Sequence, residues 1–286
     1  MTFQTLEYLI FLPLTFILYW TLCRGNKTLQ NGLIVIASLI FYGWWDWRFL
    51  GLLLLTAFST FFAGDLMGKT EDPKKRKLIS IGAILLNLGI LFFFKYFNFF
   101  VQAFIDAFSL FGADVEVSTL NILLPVGISF YTFSALSYSI DVYQKKVEPT
   151  KDILAYLAFV TFFPSILSGP INRAQKQFPQ YFEKRTVNYD NAIEACKCIL
   201  VGGVMKLCLA DRLGIYVDSV YANIIHHNGS TLLFTSILYS IQLYADFAGY
   251  SLMAIGSGKL LGINLQKNFN RPFFAKTVTE FWRRWH

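Results

Sequence analysis

The sequence predicts an all-α, multi-pass integral membrane protein with at least one re-entrant segment, and three observations carry that expectation. Hydrophobic residues fill 55% of the 286 positions and charged residues only 15%, with a mean hydropathy of +0.47; ordinary soluble domains are roughly 25% charged. Apolar runs approach or exceed the roughly 20 residues that cross a hydrocarbon core. Thirty Phe and fifteen Tyr enrich those runs without shortening them. One run is interrupted by Pro and Gly, where a straight span requires helix formers.

The first run, 6–23, has no basic stretch before it and no small-residue cleavage site ahead of Arg24, so it reads as a retained span rather than a secretory signal. Runs at 29–45, 49–67 and 78–108 follow, the last long enough for a tilted or bent helix, or two pieces. Runs at 120–143, 153–171, 192–213 and 232–261 complete the series. With no internal repeat and no soluble insertion between them, residues 1–286 read as a single transmembrane domain. Cys196, Cys198 and Cys208 fall in one run, where positions two apart point in different directions, so neither a metal site nor a disulfide framework is expected.

Short loops rich in Lys and Arg stay on the cytoplasmic side. Arg24 and Lys27 occupy one joint, "KTEDPKKRK" (69–77) a second and "QKKVEPTK" (144–151) a third, while the joint at 106–116 carries acids and no base. Strict alternation places the N-terminus outside the cytoplasm. The net charge of +7 is then a topology signal with some affinity for anionic lipid headgroups, and no nucleic-acid partner is expected.

Run 153–171 breaks the alternation, because both its ends lie beside basic residues: Lys151 on one side, then Arg173, Lys176, Lys184 and Arg185 on the other. Its "FFPSILSGP" stretch holds Pro164, Gly169 and Pro170. Irregular backbone at membrane depth persists only where protein or a water-filled cavity satisfies it, so a re-entrant segment lining an interior is expected. A kinked ordinary span followed by a long outer loop is the alternative. The preceding "LPVGISFYTFSALSYSIDVY" (124–143) is dense in hydroxyls, which serve helix packing in membranes and leave Asp141 unremarkable near a helix end.

Asp246 stands near the middle of run 232–261, where an Asp costs roughly 2.5–3.5 kcal/mol to insert. Such residues usually face a bundle interior, pair with something and mark a functional path. Gln242 one turn before and Tyr250 one turn after are expected to share its stripe. Bonding to a neighbouring helix purely for packing is the plainer reading.

The segment "EFWRRWH" (280–286), read as helix, places Trp282, Trp285 and His286 on one side, pairs Glu280 with Arg284 and lets Arg283 reach His286. Trp and Arg together also make an interfacial anchor. A His beside two cations tends to remain neutral, the form that accepts a proton from a hydroxyl.

Six blocks now stand in order: "FYGWWDWRFL" (41–50), "LPVGISFYTFSALSYSIDVY", "FFPSILSGPINR" (162–173), "DFAGYSLMAIG" (246–256), "NFNRPF" (268–273) and "EFWRRWH". Together they resemble the membrane-bound O-acyltransferase family, in its bacterial polysaccharide-modifying, alginate O-acetylation type. The resemblance implies a ring of helices around a tunnel in the bacterial inner membrane. A cytoplasmic acyl thioester, acetyl-CoA or an acyl carrier, gives up its acyl group through that tunnel to a hydroxyl on an extracytoplasmic polysaccharide or to an intermediary acetyltransferase partner. No bound cofactor or metal is implied beyond that donor substrate.

The resemblance makes His286 the first of two family histidines, with Asp246, Gln242, Tyr250, Arg283, Arg284 and Glu280 as tunnel or supporting residues. The second, catalytic histidine of the family lies a few dozen residues beyond the Trp-Arg-Arg-Trp-His motif. His226 and His227, in "IIHHNGS", match neither motif. The expectation is therefore an incomplete enzyme, inactive alone. Leu252 departs from the acid found in much of the branch and is common in D-alanyl transferases acting on teichoic acid, which keeps that reaction as the alternative. A transporter or a non-catalytic membrane subunit are the remaining readings.

Overall fold

The computed structural model describes residues 1–109 and 123–286, and every regular element among them is helical. Helix α1 (Leu6–Thr21) is followed by α2 (Lys27–Gly43), whose start is fixed by Asn26: its side chain accepts from the Thr28 and Leu29 amides at 2.9 and 3.3 Å. Asp46 performs the same service for a short 3-10 turn, Trp47–Phe49, that feeds α3 (Leu50–Lys69). Asp72 caps α4 (Pro73–Ser109), which has Pro at its first position, where no intrahelical donor is lost. Run 78–108 is thus one continuous helix. Segments Trp47–Lys69 and Pro73–Phe108 are each long and apolar enough to cross a membrane. The acidic joint at 106–116 and the start of run 120–143 fall largely outside the described residues.

Helix α5 (Ile128–Tyr143) begins later than its apolar run, because Gly127 turns the chain with φ +76. A Cβ there would stand 2.3 Å from the Ile166 carbonyl oxygen, so only glycine lets the two strands of chain approach. Run 153–171 is not one helix. It divides into α6 (Ile153–Val160), α7 (Phe163–Ile166) and irregular backbone, followed by α8 (Ala174–Gln177) and a 3-10 turn, Phe178–Tyr181.

Neighbouring side chains satisfy this irregular backbone. The Phe163 amide donates to the Ser38 hydroxyl (3.0 Å), the Asn172 amide group to Ser165 Oγ (2.7 Å), and the Ala174 amide to Ser137 Oγ (3.1 Å). Most hydroxyls of α5, on Tyr131, Thr132, Ser134, Tyr138 and Ser139, are buried in the core, where Tyr156, Phe159, Phe162, Phe163 and Tyr181 are also fully buried.

The second half is a long helical hairpin. Helix α9 (Tyr189–Gly203) runs into a π-helical stretch (Val204–Ala210) and on into α10 (Asp211–Tyr221), so the apolar run at 192–213 is extended at both ends. Helix α11 (Gly229–Leu260) packs back along it. The seam is backbone against backbone: a Cβ on Gly202 would lie 2.5 Å from the Gly249 carbonyl, and one on Gly256 2.6 Å from that of Ala195. Close approach through small residues is how membrane helices gain packing without a hydrophobic drive. The three cysteines of this hairpin are free thiols. A short helix, α12 (Val278–Arg284), follows.

Candidate functional site

Helix α12 is started by a reciprocal cap: Thr277 Oγ1 accepts the Glu280 amide at 3.1 Å, and Glu280 Oε2 accepts the Lys276 amide at 2.7 Å. Glu280 Oε1 also binds Arg284 Nη2 at 2.5 Å, the pairing that the spacing predicts. The Lys276 amide, and then Arg284, hold the Glu280 carboxyl below its ordinary range. Arg284 is anchored a second time through the backbone, since its carbonyl accepts the Asn270 amide at 3.0 Å. In this way "NFNRPF" is tied to "EFWRRWH".

The helix ends at Arg284, which corrects the expectation of one face shared by Trp282, Trp285 and His286. Trp285 is extended and His286 has φ +39. Trp282 is exposed, whereas Trp285 turns inward onto Phe269 (5.1 Å between ring centres) and stacks on Phe281 (5.5 Å). Arg283 is exposed and forms no hydrogen bond with His286. The exit from helical geometry instead lays the His286 ring on Phe247 of α11 at 4.8 Å, with Phe269 at 6.4 Å. Tyr244, one turn from Phe247, meets Phe269 and Phe273 edge-on. His286 therefore sits on an aromatic shelf made by α11 and the "NFNRPF" turn, with its outer side open.

Asp246, next to Phe247, does find a partner, but not one that local spacing reveals. Lys206 Nζ lies 2.5 Å from Asp246 Oδ1 and 2.7 Å from Asp211 Oδ1. The lysine is in the π-helical stretch, a local widening that often marks functional positions, and its side chain is 17% exposed. Asp246 is half exposed, so it is not sunk in a closed interior as its mid-run position predicts. Lys206 was missed because forty residues separate it from Asp246; the available signal was a lone lysine inside "VMKLCLA", facing an equally lone Asp in the next run.

Gln242 joins this cluster. Its side chain lies against Gly214, its buried Oε1 has no hydrogen-bond partner among the described residues, and it lines with Lys206, Asp211, Asp218 and Asp246 a cavity of about 240 Å³. Tyr250 does not join it, contrary to the expected stripe. It turns the other way and stacks on Phe3, just ahead of α1, at 4.4 Å, because α11, 32 residues long, carries its next turn past the N-terminal segment of the chain. His226 and His227 stand at a 3-10 turn on the exposed end of the hairpin, away from the shelf.

Three motifs that the sequence keeps apart, "DFAGYSLMAIG", "NFNRPF" and "EFWRRWH", thus meet at α11. The model of the membrane-bound O-acyltransferase family matches residues 39–286. The chain belongs to that family. It is 36% identical over 281 residues to a probable alginate O-acetylase of Pseudomonas putida, covering 97% of this chain and 56% of that protein. It is 37% identical over 279 residues to the probable alginate O-acetylase of Pseudomonas aeruginosa, covering 97% and 52%. A peptidoglycan O-acetyltransferase of Helicobacter pylori matches at 31% identity over 304 residues, covering 96% and 57%. The chain spans about half the length of these relatives. As a member of this family it is a membrane protein, and these three relatives are named as O-acetylases or an O-acetyltransferase.

Proposed function

We propose that the chain forms the membrane-embedded part of an O-acetyltransferase, taking acetyl from a cytoplasmic thioester, acetyl-CoA or an acyl carrier, and delivering it to hydroxyls of an extracytoplasmic polysaccharide, directly or through an intermediary acetyltransferase. The observation that carries this reading is the placement of His286 on the shelf of Tyr244, Phe247 and Phe269, held there by the interlock of Arg284 with Asn270. The names of the relatives favour acetyl over D-alanyl as the transferred group.

In this reading the neutral imidazole of His286 accepts the proton of the acceptor hydroxyl. The oxygen attacks the thioester carbonyl, the carbon–sulfur bond breaks, and the departing thiolate takes up the proton. Glu280 and Arg284 position the segment that carries His286. Asp246, Gln242 and Lys206 brace another side of α11, Tyr250 fixes α11 on Phe3 ahead of α1, and Arg283 remains free for a charged partner.

Residues 1–286 then form one multi-pass unit in the bacterial inner membrane, with the N-terminus on the extracytoplasmic side and the broken 153–171 segment re-entrant. The alternation of basic joints supports that orientation, and the side-chain bonds to its irregular backbone support burial of the segment within protein. Transfer of labelled acetyl to polysaccharide by membranes containing the protein at the full length of its relatives tests the reading. His286→Ala is expected to lower the rate about 100-fold or more, the scale of a lost general base; an unchanged rate overturns it.

A further inference from the structure

Four residues from three parts of the chain form a buried polar group beside the start of α2: Tyr19 of α1, Gln177 at the end of α8, Tyr181 of the following 3-10 turn, and Arg185. Arg185 is 6% exposed, Gln177 2%, and the two tyrosines are fully buried. The Arg185 guanidinium lies 5.8 Å from the centre of each tyrosine ring. Burial raises the Tyr181 hydroxyl above its ordinary range, and the Arg185 charge and then the Gln177 side chain work against that rise, so these groups lie within reach of one another.

Each residue contributes one buried atom without a hydrogen-bond partner among the described residues: Tyr19 Oη, Gln177 Nε2, Tyr181 Oη and Arg185 Nη1. The amide and guanidinium nitrogens can only donate, and each hydroxyl has a proton to give. Buried polar atoms are nearly always partnered, so four donors gathered in one place call for a shared acceptor.

Charge decides what that acceptor is. The guanidinium is permanently positive, forms no ion pair with a carboxylate among the described residues, and spends its other bonds on the neutral side chains of Gln30 and Asn31. Buried charges are normally paired. A water can accept two of the four protons but leaves the charge uncompensated, whereas a monovalent anion answers both needs. The adjoining space limits its size: a cavity of about 20 Å³ is lined by Thr186, next to Arg185 in the chain, and by Gly262, where a Cβ would stand 3.1 Å from Arg185 Cβ. Such a volume takes about one water-sized occupant.

We propose that Tyr19, Gln177, Tyr181 and Arg185 bind one halide ion, chloride in ordinary buffers. Because Arg185 also holds Gln30 and Asn31, the ion joins α1, the turn before α9 and the start of α2 into one unit.

Anomalous diffraction at the bromine edge, from crystals of the protein exchanged into sodium bromide, tests the site. A peak is expected beside Arg185 Nη1, in contact with both tyrosine hydroxyls. In detergent at constant ionic strength, replacing gluconate with chloride is expected to raise Tm by about 3–6 °C once chloride reaches about ten times its Kd. Tyr181→Phe, which keeps the ring and removes one donor, is expected to raise the half-maximal chloride concentration about tenfold. Tyr96→Phe, on the exposed side of α4, is expected to leave the response unchanged. Arg185→Met is expected to abolish it, and Tyr19→Phe takes the place of that variant if it does not fold. A water without anomalous signal at the site, the same Tm in chloride and gluconate, or a chloride response untouched by both tyrosine substitutions overturns the proposal.

Discussion

Two cations anchor the two halves of the molecule, and they do it in opposite ways. Arg185, between the 3-10 turn Phe178–Tyr181 and α9, is only 6% exposed and forms no ion pair with a carboxylate among the described residues. Its Nη2 donates to Asn31 Oδ1 (2.5 Å) and its backbone amide and Nε to Gln30 Oε1 (3.2 and 3.3 Å), while the Tyr19 and Tyr181 rings flank the guanidinium at 5.8 Å. Lys206 is less buried and is held by two carboxylates, Asp211 and Asp246, at the edge of an open cavity. The planar, permanently charged guanidinium can satisfy several neutral acceptors at fixed angles. That suits a clamp joining the start of α2 to the entry of α9. The lysine is a point charge whose carboxylate partners are accessible and exchangeable, which suits a site next to the residues that hold His286.

The largest expected effect lies at the clamp. Arg185→Met leaves the Asn31 carbonyl oxygen, and part of the Gln30 one, buried without donors, at about 1–3 kcal/mol for each orphaned group. Thermal unfolding in detergent is expected to report a loss of about 2–4 kcal/mol, and Arg185→Lys, with one compact donor group, to recover less than half of it. A variant as stable as the parent would remove the distinction between the two anchors.

The hairpin pair is expected to be worth less, because Asp246 is half exposed. A double-mutant cycle of Lys206→Met with Asp246→Asn is expected to give a coupling of about 0.5–1 kcal/mol in the same unfolding measurement. A coupling equal to the loss at Arg185 would instead place Lys206 among the buried clamps.

The smallest effect belongs to Glu280, a partly exposed residue of α12. Its carboxyl is held below the ordinary value of 4.5 by the Lys276 amide and Arg284. A depressed folded value means that its contribution is fully present above about pH 4.5 and is lost as pH falls through the lower, folded value. Tryptophan fluorescence, sensitive to Trp282 and Trp285, is expected to change in that acidic window and to lose the change in Glu280→Gln. A transition above pH 5 in the parent would assign it to another group.

The Glu280–Arg284 pair was legible because a four-residue spacing on a helix is a local fact. The break in run 153–171 was legible for a similar reason, since Pro164, Gly169 and Pro170 disfavour helix wherever they occur. The partner of Asp246 was not, because α9 and α11 choose each other through glycines at 202, 249 and 256, and their register sets which side chains meet. The same register separates Gln242 and Asp246 from Tyr250, which periodicity alone groups together. The end of α12 at Arg284 depends on Asn270 capturing its carbonyl, a contact between motifs.

The sequence by itself determined what is local or cumulative: an all-helical chain rich in apolar runs, the caps at Asn26, Asp46 and Thr277, the broken segment, and the ordered motifs that mark the family. Only the tertiary structure decided which charge pairs with which, where His286 rests, and that Arg185 is buried among amides rather than facing a membrane surface. The reason is physical. Apolar burial and helix capping depend on neighbours a few residues away, whereas an ion pair or an aromatic shelf depends on the relative rotation and height of helices that the chain brings together from tens of residues apart.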